Sequence, residues 1–174
     1  MDAVLNNNLH KFNIRLKQQL VILLPMLLKN AALPIFCYMI YGKLNFGYLI
    51  VGLIFFFIDI LPTIILHIQY LYKNNGQVVT INSVYKTIKF KERNASVKEY
   101  KFGDILSLEY YCCYIKGTGW HSFGQYRFYK IVFSDSYQMF ITCLMINDIE
   151  HVLPYLLDIE PQKHLRILPL IKAI

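Results

Sequence analysis

The sequence predicts an α+β membrane protein: a two-helix transmembrane hairpin followed by an antiparallel β-sandwich or open barrel capped by a C-terminal helix. Three observations carry this. The 174 residues are 56% hydrophobic and only 17% charged, and the apolar excess is confined to residues 20–72, too greasy for a soluble domain of this size. From residue 73 the apolar period falls to two over successive short segments, as in half-buried strands. After residue 147 it returns to helical spacing, with Ile149, Val152, Leu153, Leu156 and Leu157 on one stripe.

Residues 1–19 form a basic segment. Leu5, Leu9, Phe12 and Leu16 recur at three- and four-residue steps, with Lys11, Arg15 and Lys17 on other faces. The pattern reads as an amphipathic helix in the inner membrane interface, the alternative being an extension of the first span.

Residues 20–72 form the hairpin, with spans at about 20–41 and 46–68. Each reaches about 30 Å as a helix, the thickness of a bilayer's hydrocarbon core. The connection Gly42-Lys43-Leu44-Asn45 admits only an antiparallel arrangement. Three Lys/Arg precede the first span and thirteen of the eighteen follow residue 72. This bias puts both termini in the cytoplasm, making a multi-pass protein of the cytoplasmic (inner) membrane. Four cysteines without a disulfide-like framework fit that reducing compartment.

Two charges interrupt the spans. Lys29 lies twelve residues before Tyr41 and Asp59 thirteen after Phe46, so an antiparallel hairpin brings them to similar depth near mid-bilayer. Each alone costs about 2.5–3.5 kcal/mol to insert, against about 0.3–0.6 returned per Leu, Ile, Phe or Val. The second span has sixteen such residues and the first eleven, so a Lys29–Asp59 pair helps the first span to insert. The alternative is that Lys29, Asn30 and Asp59 line a proton or ion path, which two helices provide only in an oligomer. Pro25 and Pro62 also fall at matching depths and predict adjacent helix irregularities.

Residues 73–160 form the β-domain. Strands are expected at 77–82, 85–92, 96–102, 105–116, 126–133 and 137–144, and Asn147 or Asp148 can cap the closing helix. The stretches VVTIN, YKFGDILSLEYY and YKIVFSDSYQMFITCLMINDIEHVLPYL, placed after two apolar spans, resemble the bacterial membrane-anchored pleckstrin-homology-like proteins. That resemblance implies two-span anchoring of a cytosolic PH-like domain with a binding or scaffolding role. Residues 161–174 are an apolar tail with interspersed Lys163, Arg166 and Lys172, free to pack on the domain, the membrane or a partner.

No enzyme is expected. The glycines at 117, 119 and 124 lack the Lys-Ser/Thr pair of a phosphate loop and join two strands. The five histidines and four cysteines show no paired metal-ligand spacing, so neither metal nor cofactor is expected. Ser122 beside His121 is sequence adjacency alone. Two candidate surfaces for lipid or partner remain. One is the basic hairpin with Lys86, Lys89, Lys91 and Arg93, its alternative being an ordinary solvated face. The other is the 116–124 tip with Trp120 and Phe123, its alternative being a tryptophan folded back as a lid. The expected partners are the bilayer and a protein or a second copy of the chain, with no nucleic acid and no small-molecule substrate. Three functions follow: a membrane-anchored binding or scaffolding protein, a small oligomeric transport or sensing subunit using Lys29 and Asp59, and an anionic-lipid headgroup binder.

Overall fold

The structure is a computed structural model that describes residues 9–14, 16–42, 46–93, 95–114, 121–146 and 148–171. Its first element is a strand, β1 (Leu9–Phe12), which pairs antiparallel with β2 (Val78–Asn82), Phe12 opposite Val79 and Leu9 opposite Asn82. The amphipathic helix expected over residues 1–19 is therefore corrected: residues 9–12 belong to a sheet, and helix starts at Leu16. The apolar recurrence of Leu9, Phe12 and Leu16 fits a helix only because two strand residues and one helix residue fall on its period by coincidence.

This pairing also corrects the domain order. Antiparallel neighbours are commonly joined by two to five residues, but here the join is residues 13–77 and contains both apolar helices. They are α1 (Leu16–Tyr41) and a second run built from α2 (Phe46–Phe55), a π-helical turn (Phe56–Ile60) and α3 (Leu61–Asn74). The helices are thus an insertion between two neighbouring strands, and the β-domain begins before them. Pro62 has no N–H and its ring displaces the carbonyl four residues back, which accounts for a widened turn just ahead of it. Thr63 Oγ1 donates to the Asp59 carbonyl at 2.6 Å. No matching break occurs at Pro25, where α1 is continuous.

Sheet A has the order β1-β2-β3-β4, with β3 Thr87–Lys91 and β4 Lys98–Lys101. Sheet B has the order β7-β6-β5-β8, with β5 Ile105–Cys113, β6 Arg127–Phe133, β7 Gln138–Thr142 and β8 Gln162–Arg166. The two sheets form a sandwich whose inner residues include Val79, Ile81, Ile88 and Phe90 from one layer and Leu108, Tyr110, Ile131 and Phe133 from the other, while Phe128 on the opposite face of β6 packs against Tyr70 of α3. The closing helix α4 (Ile149–Leu157) buries Ile149, Leu153, Leu156 and Leu157 as its stripe requires. Asp148 occupies its N-cap position in a left-handed conformation and makes no side-chain cap bond.

The tail does pack on the domain. β8 lies parallel to β5, Cys113 opposite Arg166, and Ile171 beyond it is buried. Between β5 and β6, Glu109 accepts from Tyr111 Oη at 2.5 Å and from Lys130 Nζ at 3.2 Å. Burial alone would raise its carboxyl, but these two partners outweigh it and hold the pKa below the ordinary value of 4.5. A lowered folded-state pKa adds stability above the unfolded value, and that stability is lost as pH falls through the folded one. The thermal midpoints of the parent chain and Glu109→Gln should therefore lie apart at neutral pH and converge on acidification below about 4.

At the end of α3, Gly76 has φ +73°, and a Cβ there would sit 2.8 Å from Cβ and Cγ of Arg93. Gly76→Ala combines left-handed strain with that clash and should cost about 1–2 kcal/mol in an unfolding titration.

Candidate functional site

The most distinctive site lies where the inserted helices meet the β-domain. Asp59, in the π turn, is 2% exposed in the middle of a very apolar stretch. Its Oδ1 accepts the backbone N–H of Ser122 at 2.6 Å and its Oδ2 accepts Ser122 Oγ at 2.8 Å. His121 Nδ1 stands 3.8 Å from Oδ1. Ser122 opens a short 3-10 turn (Ser122–Gln125) that leads into β6, so the carboxylate clasps the β5–β6 connection at its re-entry. A carboxylate is costly to bury unless its lone pairs are satisfied, and these donors do that.

Asp, His and Ser thus converge, but not as a nucleophile and its base. The Ser122 hydroxyl donates to the carboxylate itself and His121 faces that carboxylate too, so among the described residues no hydrogen bond joins the hydroxyl to an imidazole as in a triad. Chemically the arrangement is a clasp between helix and domain.

The clasp heads a ladder of contacts along one face of α3. His67 Nδ1 is 2.9 Å from Tyr126 Oη, Tyr70 Oη donates to the Pro169 carbonyl at 2.8 Å, and Asn74 Nδ2 donates to the Phe140 carbonyl at 2.8 Å. Gln69 both donates to the Ile171 carbonyl (2.7 Å) and accepts its N–H (3.1 Å). Leu66 and Tyr70 are wholly buried on this face. The division expected at residues 72/73 is therefore corrected: from Asp59 onward the helix belongs to the core of the β-domain. The opposite face exposes Ile64, Ile65, Ile68 and Tyr72, and α1 and α2 expose a further apolar surface that includes Leu20, Leu24, Leu28, Ile50, Leu53 and Ile54. Among the described residues one helical stretch, Ile50–Asn74, is long and apolar enough to cross a membrane.

The other expected site residues are scattered. The side chain of Lys29 and all of Trp120 lie outside the described residues. Phe123 is corrected: it is 5% exposed and stacked on His121 at 4.9 Å, because the Asp59 clasp draws this turn onto the helices. Lys86, Lys89, Lys91 and Arg93 are exposed, and Lys89 pairs with Glu99 at 3.1 Å.

Beside them, aromatic and charged side chains join the β3–β4 and β6–β7 turns. Tyr100 stacks on Phe133 at 4.0 Å and donates to Asp135 at 2.9 Å, Tyr137 donates to Glu92 at 2.8 Å, and Lys98 Nζ lies 3.8 Å over the Tyr137 ring. Desolvation, then the bond to Asp135, pushes the Tyr100 hydroxyl up to about 12. The Tyr137 N–H, foremost, holds the Asp135 carboxyl below its usual value.

Clefts on the described surface include two of similar size. One, of about 470 Å³, is lined by Tyr72, Lys73, Gln77, Glu92 and Arg93. The other, of about 440 Å³, is apolar and runs between β1 and α4, lined by His10, Phe12, His151, Val152, Tyr155 and Leu156. Among the described residues no group of three His, Cys, Asp or Glu is arranged to hold a metal ion.

The family comparison is consistent with the insertion. A model described as a PH domain matches residues 10–150, from β1 through both helices into α4. No curated protein and no solved structure matches the chain.

Proposed function

Because the chain belongs to the PH-domain family, we propose that it is a non-enzymatic binding or scaffolding protein, held at the cytoplasmic face of a membrane by the helical insertion. The observation that carries this reading is the set of exposed apolar side chains among the described residues of α1 and α2, which emerge from within the domain's own sheet. An exposed apolar surface of that extent marks a membrane or protein interface, and the run Ile50–Asn74 has spanning length. β1 and β8 both lie in the β-domain, which supports both ends of the chain being on one side of the bilayer. The apolar β1–α4 groove and the open edges of the sheets are surfaces on which a protein partner or a second copy would be recognised.

The transport or sensing reading is less well supported, because both oxygens of Asp59 are engaged by Ser122. On the binding reading Asp59 is structural. Membranes from cells expressing the full chain, washed with alkaline carbonate, should retain the protein. Its release into the supernatant would overturn the proposal.

A further inference from the structure

The Asp59 clasp limits how far the hairpin reaches. From Phe46 to Asp59 is thirteen residues, about 20 Å of helix at 1.5 Å per residue, and from the buried Met26 to Tyr41 is fifteen, about 22 Å. A hydrocarbon core is about 30 Å thick. A hairpin that crosses it needs about 10 Å more from each helix, which means α3 as far as about Leu66 and α1 back to about Leu20. On those segments the outward faces are apolar, through Ile64 and Ile65 on α3 and Leu20, Val21 and Leu24 on α1, while the inward faces are covered by the β-domain.

The strand registers say which end of the domain goes down with them. β5 ends at Cys113 beside the start of β6 at Arg127 and the end of β8 at Arg166. The Ser122 turn is at this end, and so are Tyr114, 72% exposed, Leu165, 53% exposed, and Ile167, 74% exposed. Glu92, Arg93 and Ala95, after β3, lie at the other end beside Tyr72, Lys73 and Gln77, some fifteen residues or about 22 Å further along the helix from Asp59. Tyr137 donates to Glu92 there.

Resting on the membrane-anchored reading above, we infer that the β5–β6 end of the domain is itself a lipid-docking surface. Tyr114, Leu165 and Ile167 are seated in the interfacial layer, and Arg166, placed 4.5 Å over the Tyr111 ring, is at headgroup level. Apolar side chains gain free energy by leaving water, and an arginine on an aromatic ring suits the phosphate layer. The basic β3–β4 turn with Arg93 and Lys98 then points away from the bilayer and is not where headgroups bind.

The test uses the full chain in vesicles whose acyl chains carry bromine, a short-range quencher of tryptophan. Trp120 is replaced by Phe, and single tryptophans are introduced as Ile167→Trp, Tyr114→Trp or Leu106→Trp, the last at the opposite end of β5. Emission at 167 and at 114 should fall at least twofold on bromination, with that at 106 unchanged. Two positions at the docking end guard against one variant failing to fold. If the chain floats with the vesicles while neither 167 nor 114 is quenched, or while 106 is quenched instead, the docking surface is overturned and the anchoring stands. If the chain does not float at all, the anchoring falls and the docking surface with it.

Discussion

Asp59→Ala is expected to destabilise the chain by about 2–4 kcal/mol. The substitution leaves the Ser122 N–H and hydroxyl buried without their acceptor, and hydrogen bonds to a charged group contribute about 1.5–3 kcal/mol each before non-additivity is counted. Asp59→Asn keeps one oxygen for the Ser122 N–H and offers an amide to the hydroxyl, which can turn to accept it. It should cost less than half as much as the alanine change. Ser122→Ala, losing one bond and keeping the backbone donor, should cost about 1 kcal/mol. The ordering Asp59→Ala, then Asp59→Asn and Ser122→Ala, can be read from detergent-solubilised thermal unfolding. Equal, small effects for all three would mean that the clasp contributes little.

The second large effect should come from removing the tail. Truncation after Glu160 deletes β8 and with it Ile171, leaves the β5 edge open, and takes away the partners of Tyr70 and Gln69. One buried isoleucine contributes about 1.5–3 kcal/mol and each hydrogen bond about 0.5–1.5, so the loss is on the order of 3–5 kcal/mol. An exposed strand edge also invites association between chains. The truncated chain should unfold at lower temperature and elute from size exclusion as larger species. A midpoint and elution volume unchanged from the parent would mean that β8 is dispensable.

How far the fold was legible follows from the kind of signal each element leaves. β3 alternates Ile88 and Phe90 against Lys89 and Lys91, one face buried and one exposed, so its strand is visible in the letters. β8 is not, because Gln162 to Arg166 adds to an edge and puts little into the core. β1 was hidden for a different reason: its partner is the strand on the far side of two helices, and four residues are too few to separate period two from period 3.6. The oddity of Asp59 was legible, since a carboxylate among phenylalanines needs an explanation. Its Ser122 partner was not, because one of the two donors is a backbone N–H, which every residue but proline carries. The polar positions Asp59, Thr63, His67 and Asn74, at steps of four and seven along an apolar helix, were the available clue that this face meets protein. The burial of Phe123 leaves no local signal, because it depends on that same long-range clasp.

The central claim is that the helical insertion crosses the bilayer and leaves the PH domain on the cytoplasmic side. Thiol labelling from outside intact spheroplasts tests it, using Gly42→Cys at the far end of α1 and Val84→Cys on the exposed β2–β3 turn, each in a Cys37→Ser background, with the native Cys112, Cys113 and Cys143 buried. A membrane-impermeant maleimide should label position 42 in intact spheroplasts and reach position 84 only after lysis. Labelling of position 84 from outside, or protection of position 42 until lysis, would contradict the account.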